Sequence, residues 1–323
     1  MSDLPITGES VHEPVLLHEV VAGLTRRETG DMTSVSNTSV NSVVPQIPVY
    51  LDGTLGGASH ALSIAKAYDG KVAIVGLDRD PMALKRAEVK LAGKAEKVIL
   101  ERSNFRNLDI ILQKNNIQAV DLILFDLGLS SDELENSGKG FSFLKDEPLW
   151  MTMGDPKEYS FTASDIVNDW DETVLADIIF GYSEERFARR IARAIVSYRQ
   201  KKKIETSSEL AQIVKMSMPA FLRRGKIHPA TKTFQALRIA VNDELNSLKE
   251  GLEKGYRFLN AGGRMAVISF HSLEDRIVKD FNKKKMEEGA RVFTKRPIVA
   301  GPEEVAVNPR SRSAKLRIIE KQR

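Results

Sequence analysis

Short apolar segments alternate with helical patterns along the first part of this chain, and no other feature restricts its fold as strongly. The apolar segments are Ile47–Asp52, Val72–Asp78, Lys97–Glu101 and Val120–Asp126. Helical patterns follow the first three of them, at Ser59–Tyr68, Pro81–Leu91 and Arg106–Lys114. Regular alternation of strands and helices is typical of a parallel sheet with helices packed on its faces. The sequence therefore predicts an α/β fold.

The alternation stops after Asp126 and resumes at a segment rich in glycine. A core strand, Arg264–Phe270, follows the predicted turn Asn260–Gly263, and Ala314–Glu320 is a candidate last strand. The intervening residues have helical periodicity at Glu172–Phe180, Glu184–Arg199, Ser208–Met218 and Lys232–Leu259. We predict a helical domain inserted after the fourth strand. The sheet domain then comprises residues 1–135 and 231–323, the insertion is 136–230, and a flexible loop rich in Ser, Thr and Asn covers about 25–46.

Composition excludes several classes of protein. The chain has 323 residues, 42% of them hydrophobic, and no cysteine, which excludes disulfides, thiolate catalysis and thiolate metal sites. It has no run of about 18 apolar residues, so we expect no membrane-spanning helix. Met1–Pro5 lacks the basic and apolar parts of a secretory signal. We expect a cytoplasmic protein with no membrane partner. The oligomeric state is left open, a homodimer included.

Basic residues are concentrated in two blocks. The net charge is 48 − 44 = +4, yet residues 281–323 contain twelve Lys/Arg against five Glu. Residues 186–203 contain eight Lys/Arg and no acid, and this block ends in Lys201, Lys202 and Lys203. Both blocks are predicted to contact a polyanion such as RNA. The alternative is that they are ordinary solvated faces.

The first strand runs into a glycine-rich segment, Asp52–His60. Glycines at a strand–helix turn let backbone N–H groups approach a ligand, and the helix N-terminus adds positive potential. The spacing is G-x-x-G-G and not the dinucleotide fingerprint G-x-G-x-x-G. An acidic residue before the loop suits the cationic ammonium group of S-adenosylmethionine (SAM) better than a pyrophosphate. The alternative is a tight turn without a ligand.

Two further strands end in aspartate. Asp78 is placed to accept hydrogen bonds from ribose hydroxyls, as carboxylates at the tip of a second strand do in nucleotide-binding folds, while Asp80, before Pro81, is expected to cap the next helix. Asp126 ends the fourth strand, where a carboxylate could hold an amine during attack on an electrophilic methyl group. A cap made by Asp126 is the alternative.

Histidines and aromatic residues provide weaker candidates. We expect Ser272 and Asp275 to form a capping box, which leaves His271 exposed at the crevice. The five histidines have no metal-ligand spacing, so no catalytic metal is predicted. Phe141, Phe143 and Trp150 could stack an unpaired base beside the crevice. The alternative is that they are core anchors, which we favour for Phe143.

Nine blocks of sequence, in order, resemble the motifs of one family, the bacterial 16S rRNA (cytosine-N4)-methyltransferases called RsmH or MraW. The resemblance extends from about residue 11 to the C-terminus and omits the Ser/Thr-rich loop. The blocks are His12–Leu17, Asp52–His60, Asp78–Pro81, Asp126–Ser131, Gly140–Phe143, Glu184–Ala188, His228–Arg238, Ser269–Lys279 and Asn308–Ala314.

The resemblance implies a class I SAM-dependent methyltransferase (Rossmann-like) fold, SAM as the methyl donor, and a P-site cytosine of 16S rRNA in the small ribosomal subunit as the acceptor. Carried over by position, it implies a set of cofactor contacts. They are Ala58, Ser59, His60, Asp78, Phe105, Asp126 and Glu133.

The chain departs from the family pattern at three places. Ala58-Ser59-His60 replaces Gly-Gly-His, and Glu133 stands where the family has Gln, so a hydrogen-bond donor is lost. Trp150-Met151-Thr152-Met153-Gly154 replaces Asp-Met-Arg-Met-Asp, which removes three charged side chains from a loop expected near the substrate.

These observations predict a SAM-dependent enzyme that methylates cytosine N4 in 16S rRNA, with Asp126 as the catalytic residue. Phe141, Phe143, Trp150, His271 and Lys201–Lys203 are predicted to bind the substrate. One alternative is a ribosome-binding assembly factor of the same fold with impaired catalysis. A nicotinamide-dependent oxidoreductase is a second, which the glycine spacing disfavours.

Overall fold

The protein, seen in a computed structural model, consists of two compact units. Residues 14–25, 47–225, 227–293 and 295–322 are described. The sheet unit comprises the described residues up to Gly128 and those from Gly251 onward, and the helical unit is Leu129–Glu250. His12, Glu13 and the predicted loop at 26–46 lie outside the described residues.

The helices and strands of the described residues follow in chain order. They are α1 (Leu17–Thr25), β1 (Val49–Asp52), α2 (Ser59–Ala67), β2 (Ala73–Asp78), α3 (Pro81–Leu91), β3 (Lys97–Arg102), α4 (Leu108–Lys114), β4 (Val120–Asp126), α5 (Ser131–Asn136), α6 (Ala163–Asp169), α7 (Glu172–Ser183), α8 (Ala188–Arg199), α9 (Ser207–Ser217), α10 (Thr231–Asn242), α11 (Glu244–Phe258), β5 (Leu259–Ser269), α12 (Ser272–Glu287), β6 (Arg291–Val292), α13 (Pro302–Val307) and β7 (Lys315–Glu320).

One sheet organises the first unit. Its order in the described residues is β3-β2-β1-β4-β5-β7-β6. The strands from β1 to β5 run parallel, and β7 pairs antiparallel with both β5 and β6. The inner positions of β2 and β4 are almost all buried, as expected for strands covered on both faces. The predicted α/β fold of the class I methyltransferase type is therefore confirmed.

The helical unit has its own core. Buried residues of α6 to α10, such as Ile166, Ile179, Ile191, Leu210 and Leu237, form one apolar cluster. Helix α8 presents Ile191 and Ile195 to this cluster and leaves Arg189, Arg190 and Arg193 exposed. Its amphipathic sequence therefore determines which face is buried.

The predicted helix Lys232–Leu259 is two helices, which corrects the sequence-based expectation. Asp243 lies between α10 and α11 with φ +49°, a left-handed conformation that interrupts a helix. Arg238 and Glu244 form a bidentate ion pair across this break, with N–O distances of 2.8 Å. Apolar periodicity continues through the break, so the pattern alone does not reveal it.

The predicted turn at Asn260–Gly263 is an irregularity inside β5. Pairing with β4 shifts register between Val120 and Leu122, and Gly262 has φ +77°. The Gly262 N–H donates to the Lys321 carbonyl at 2.6 Å. Extra residues in one strand of a pair are accommodated in this way without ending the strand.

The unit boundaries also differ from the predicted insertion at 136–230. The helical unit begins at Leu129 and continues through α10 to Glu250, because Phe234, Leu237 and Val241 of α10 belong to its apolar core. The sequence shows α10 as a helix but does not show which core it joins.

Candidate active site at the carboxyl edge of the sheet

Three aspartates end neighbouring parallel strands. Asp52, Asp78 and Asp126 are the last residues of β1, β2 and β4, and the strand order reverses direction between β1 and β4. In open α/β sheets, ligands bind at such a switch point, beyond the carboxyl ends of the strands. The structure therefore brings together the acidic residues that the sequence singled out.

The glycine-rich loop after β1 is fixed by backbone hydrogen bonds. Gly53 N–H donates to the Leu124 carbonyl at 2.9 Å and Leu55 N–H to the Leu77 carbonyl at 2.9 Å. A Cβ on Gly53 would lie 2.4 Å from the Phe125 ring, whereas a Cβ on Gly57 would meet no atom within 4 Å. Gly53 is thus required for packing, and Gly57 leaves open space of the kind a ligand needs.

Ala58 occupies a backbone conformation that favours glycine. Its φ is +56°, which costs a non-glycine residue about 1–2 kcal/mol. The resemblance places a glycine here, so Ala58 carries backbone strain that the family pattern avoids. Ser59 begins α2, and its Oγ accepts a hydrogen bond from Lys90 Nζ at 2.8 Å.

Asp78 is anchored by the loop that it faces. Its carboxylate accepts hydrogen bonds from Gly56 N–H at 2.7 Å and from Asp80 N–H at 2.9 Å. Burial raises the pKa of Asp78, and these backbone donors oppose that rise. Asp80 caps α3 through Met82 N–H and Ala83 N–H, so the separate role expected for Asp80 is confirmed.

Asp52 is buried beside a tyrosine. Its exposed fraction is 1%, and it accepts hydrogen bonds from the Tyr50 hydroxyl at 2.8 Å and Thr54 N–H at 3.2 Å. Burial raises the pKa of Asp52 to about 7, the two hydrogen bonds oppose the rise, and the charge of Asp78 adds to it. A cation at this edge would stabilise the charged form.

Asp126 has one oxygen that lacks a protein partner. Among the described residues, no hydrogen bond reaches its buried Oδ1. Its backbone N–H donates to Thr54 Oγ1 at 2.6 Å, which fixes the end of β4. Burial, followed by the charges of Asp52 and Glu274, raises the pKa of Asp126 to about 8. The side chain is therefore mainly protonated at pH 7 in the ligand-free protein.

His60 is a buried link between elements. Its ring Nε2 lies 3.1 Å from the Val15 carbonyl and its Nδ1 lies 3.9 Å from Asp126 Oδ2. The residue is 7% exposed. It therefore connects α2 to the segment before α1, with its ring close to the Asp126 carboxyl group.

The cap of α12 corrects an expectation. His271, not Ser272, is the N-cap residue: its Nδ1 accepts from Glu274 N–H at 3.3 Å, and Glu274 Oε2 accepts from His271 N–H at 3.2 Å. Asp275 instead pairs with Arg317 at 2.8 Å and Lys315 at 3.1 Å. The His271 side chain is 12% exposed, so it is not the exposed residue that the Ser272 cap implied.

Phe105 lies beside the same edge. Its ring centroid is 4.9 Å from that of Phe125, and a Cβ on Gly251 would lie 2.5 Å from it. The half-buried ring is thereby held in one orientation.

The remaining predicted site residues belong to the helical unit. Glu133 closes the capping box of α5, where its Oε2 accepts from Ser130 N–H at 3.0 Å. Phe141 is 6% exposed and lies in the apolar core, which favours the core-anchor alternative for this ring. Phe143 stacks on His228 with centroids 4.4 Å apart and meets the Phe234 ring edge-on at 5.3 Å.

The segment that departs from the family pattern is held by its backbone. Asn242 Nδ2 donates to the Met151 carbonyl at 2.7 Å, and Asn242 Oδ1 accepts from Met153 N–H at 2.9 Å. Gly154 N–H donates to the Tyr159 hydroxyl at 3.0 Å. Trp150 begins this segment and is 40% exposed, so part of its side chain is accessible.

Lys201, Lys202 and Lys203 are exposed but differ in their partners. Lys202 pairs with Glu209, which lies in the capping box of α9. This hydrogen bond lowers the pKa of Glu209 and raises that of Lys202, so both groups stay charged.

The polar groups at the edge of the sheet suit SAM as a ligand. Among the described residues, Asp126 has an oxygen without a partner, Gly57 leaves open space, and Asp52 and Asp78 are carboxyl groups of the kind that can accept hydrogen bonds from an ammonium group and from hydroxyls. Tyr50, Thr54 and Glu274 also lie beside these acidic residues and were not predicted from the sequence. The one indication in the sequence was that Tyr50 and Thr54 each lie two residues from Asp52. Nothing in the sequence pointed to Glu274.

The described residues contain neither a candidate membrane span nor a cluster of metal-binding side chains. No helix in these ranges is long and apolar enough to cross a membrane. No group of three or more His, Cys, Asp or Glu side chains in the same ranges is arranged to hold a metal ion.

The fold and the acidic sheet edge define a class I methyltransferase. The family model of the MraW methylase family matches residues 9–322, and the chain belongs to this family. This membership confirms the predicted class of enzyme and its cofactor, S-adenosylmethionine.

Relatives share most of their length with this chain. "Ribosomal RNA small subunit methyltransferase H" of Persephonella marina is 47% identical over 83% of this chain and 90% of that protein. The protein of the same name from Nostoc sp. is 44% identical over 100% of this chain and 97% of its own length. A crystal structure of an rRNA methylase from Streptococcus thermophilus superposes with a TM-score of 0.38 at 11% identity, over 85% of this chain and 87% of that one.

Proposed function

We propose that this protein transfers the methyl group of SAM to the exocyclic N4 of a P-site cytosine in 16S rRNA, within the small ribosomal subunit in the cytoplasm. The names of the relatives support the small-subunit rRNA as the substrate class. The resemblance of the motifs supports the nucleotide and the atom.

The proposal rests on the position, burial and raised pKa of the Asp126 carboxyl group. Its carboxyl group lies at the switch point of the sheet with a buried, unpartnered Oδ1 and a pKa raised to about 8. A group of this kind is suited to holding an N–H donor at a reaction centre. Backbone N–H groups fix both oxygens of Asp78 and leave each with a lone pair for a further donor, so these two aspartates are suited to different roles.

Several residues of the sheet unit would hold the cofactor. Asp78 would accept hydrogen bonds from its ribose hydroxyls, Asp52 would face its ammonium group, and the Phe105 ring would lie against its base. When bound, SAM supplies an electrophilic methyl group on a sulfonium. Its positive charge would offset the repulsion among the buried carboxylates and lower the pKa of Asp126.

The acceptor requires alignment more than activation. The lone pair of a cytosine amine is delocalised into the ring, so the base must leave its stack and its nitrogen must be oriented toward the methyl group. Asp126 would accept one amine N–H and fix that orientation, while Thr54 holds the Asp126 backbone and the His60 ring lies 3.9 Å from its carboxyl group. The amine proton is lost late, to water or to the carboxylate.

The proposal is tested by methyl transfer. Small subunits that lack the modification are incubated with radiolabelled SAM and the protein, and the rRNA is then digested and mapped by mass. A single added methyl group on a P-site cytosine, at N4, is the expected result. Incorporation at another nucleotide or at C5 would overturn the assignment of the acceptor.

One alternative is supported by the segment Trp150–Gly154. It lacks the three charged side chains of the family pattern, and a protein without catalytic activity would bind the small subunit as an assembly factor. Tight binding to the subunit without methyl incorporation, under conditions where SAM binding is measured directly, would favour this alternative.

A further inference from the structure

The helical unit exposes apolar side chains that the proposed function has not used. Seven of its large apolar residues are exposed, and four of these, which we call the Phe221 surface, lie on connected segments. They are Leu144 (86% exposed), Phe221 (79%), Ile227 (64%) and Met216 (53%). Clusters of exposed apolar residues commonly mark a binding site.

The turn that carries Phe221 is fastened to the end of α9. Arg223 Nε donates to the Met218 carbonyl at 2.9 Å and its Nη2 donates to the Met216 carbonyl at 2.8 Å. Leu222 packs against the apolar core while the preceding Phe221 is exposed. The ring is therefore presented by a fixed backbone, which lowers the entropy lost on binding.

A stack of rings fixes the other side of the surface. Phe143 and His228 stack with centroids 4.4 Å apart, and their chain neighbours Leu144 and Ile227 are the exposed residues. Burial, and then the charge of Lys215, lowers the pKa of His228. The His228 ring is therefore neutral at pH 7, and the positive charge here comes from Lys215, Arg223 and Arg224.

Basic residues prevail on the segment that carries Met216, Phe221 and Ile227, while Asp146 and Glu147 follow Leu144. Between Glu209 and Asp243 the chain has no acidic residue and six basic ones, Lys215, Arg223, Arg224, Lys226, Lys232 and Arg238. Arg224 is exposed beside Phe221. A second copy of this surface would be repelled, whereas a polyanion would be attracted. An exposed aromatic ring among cations is the arrangement by which proteins bind unpaired nucleotides.

We infer that the Phe221 surface binds an unpaired segment of RNA, with a base stacked on Phe221 and phosphates near Arg224 and Lys215. This inference rests on the proposed function, because the class of partner is taken from it. It adds a contact outside the residues that the sequence analysis assigned to the substrate.

Photo-crosslinking tests which partner covers the surface. The variant Phe221→p-benzoylphenylalanine is irradiated with small subunits that lack the modification. Phe180 is 59% exposed on α7, so Phe180→p-benzoylphenylalanine is a matched control. RNA attached at position 221 and not at 180 is expected. A crosslink at 221 to a ribosomal protein or to a second copy, or none at all, would overturn the inference.

Affinity separates this inference from the proposed function. Phe221→Ala should weaken binding to the small subunit by about tenfold or more, the value of one stacked base, while Phe221→Trp and Phe180→Ala leave it unchanged. SAM affinity should be equal in all four proteins. Unchanged RNA affinity in Phe221→Ala overturns the inference even if methylation is normal. Weakened binding without any methylation in the parent protein supports the surface and rejects the enzyme.

Discussion

The sheet edge and the helical unit use ionisable groups in opposite ways. At the sheet edge, burial and mutual repulsion disfavour charge, and the pKa values of Asp52 and Asp126 rise to about 7 and about 8. In the helical unit, Lys202 and Glu209 stabilise each other's charge, and Arg189, Arg190 and Arg193 of α8 are exposed. The first region can change its protonation near neutral pH, and the second presents a fixed charge.

This difference indicates which property each region contributes. A carboxyl group whose ionisation is balanced near pH 7 responds to a bound cation or to an amine, so it can take part in chemistry. Exposed, permanently charged residues gain affinity for a polyanion by releasing counterions. Substitutions should therefore separate the two, with changes at the sheet edge affecting SAM and turnover, and changes in the helical unit affecting RNA.

The largest effect is expected at Asp126. Asp126→Asn keeps the size of the side chain but removes its charge, and it should lower kcat/KM by about 10²–10⁴-fold, the usual contribution of a positioned acid–base group. In the parent protein kcat/KM should rise with pH as Asp126 ionises, because Asp126 must be ionised to accept an N–H, and bound SAM should place that rise below the pKa of about 8 of the ligand-free carboxyl group. Glu274→Gln, which removes a facing charge, should move that rise to lower pH. Methylation assays over pH 6–9 in buffers of equal ionic strength measure this shift. If kcat/KM rises at the same pH in Glu274→Gln and in the parent protein, a group other than Asp126 is responsible.

A large effect on cofactor binding is expected at Asp78. Hydrogen bonds to a charged group are worth about 1.5–3 kcal/mol, so Asp78→Ala should weaken SAM by about tenfold to a hundredfold. The comparison protein is Asp80→Ala, which removes only the cap of α3. Equal calorimetric affinities in the parent and in Asp78→Ala would reject the ribose assignment.

A smaller effect is expected at Trp150 in the helical unit. Stacking of one base contributes about 1–3 kcal/mol, so Trp150→Ala should lower kcat/KM on small subunits by about tenfold or more, with SAM affinity and folding preserved. Trp150→Phe should retain most of the activity. The other tryptophan, Trp170, packs against Phe161 with centroids 4.9 Å apart, and Trp170→Ala should lower the melting temperature instead. A loss of stability without a kinetic change in Trp150→Ala would assign it to packing.

The lysine block should change the salt dependence of RNA binding. Each phosphate contact contributes about −0.7 to the log–log slope with salt on single strands. Replacing Lys201, Lys202 and Lys203 with Ala should flatten the slope and leave SAM affinity unchanged. The single variant Lys202→Ala should contribute least, because Lys202 is paired with Glu209. If the triple variant has the same salt dependence of RNA binding as the parent protein, these lysines form an ordinary solvated face.

The smallest effect is expected on stability at Asp52. Because its folded pKa of about 7 lies above the usual value of about 3.9 for Asp, folding is favoured at low pH and loses this contribution as the pH rises from about 4 to about 7. Asp52→Asn should therefore gain stability relative to the parent over that range and keep the gain above it. For a chain of 323 residues, each kcal/mol gained would raise Tm by about 1–2 °C. Melting curves with a constant difference from pH 4 to pH 8 would contradict this.

Much of the sheet edge could be predicted because its signals are local. A strand that ends in aspartate before a glycine-rich turn specifies both the element and the position of the carboxyl group, so Asp52, Asp78 and Asp126 were placed correctly. Other features depend on contacts that the chain order hides. The break at Asp243, the register shift in β5 and the burial of Phe141 are set by packing against distant segments. The cap at His271 escaped prediction because histidine is an uncommon N-cap residue.

The neighbouring strands β4 and β5 also have a consequence for how the protein folds. They pair along Leu122 to Asp126, yet the whole helical unit lies between them in the chain. During synthesis on a ribosome, α5 to α10 would be complete before β5 is made. Until then, one edge of β4 would have no strand to pair with. Pairing over such a separation slows folding more than it reduces stability, since closure entropy grows only with the logarithm of loop length. We therefore expect the synthesis of β5 to be the step that commits the sheet to its final form.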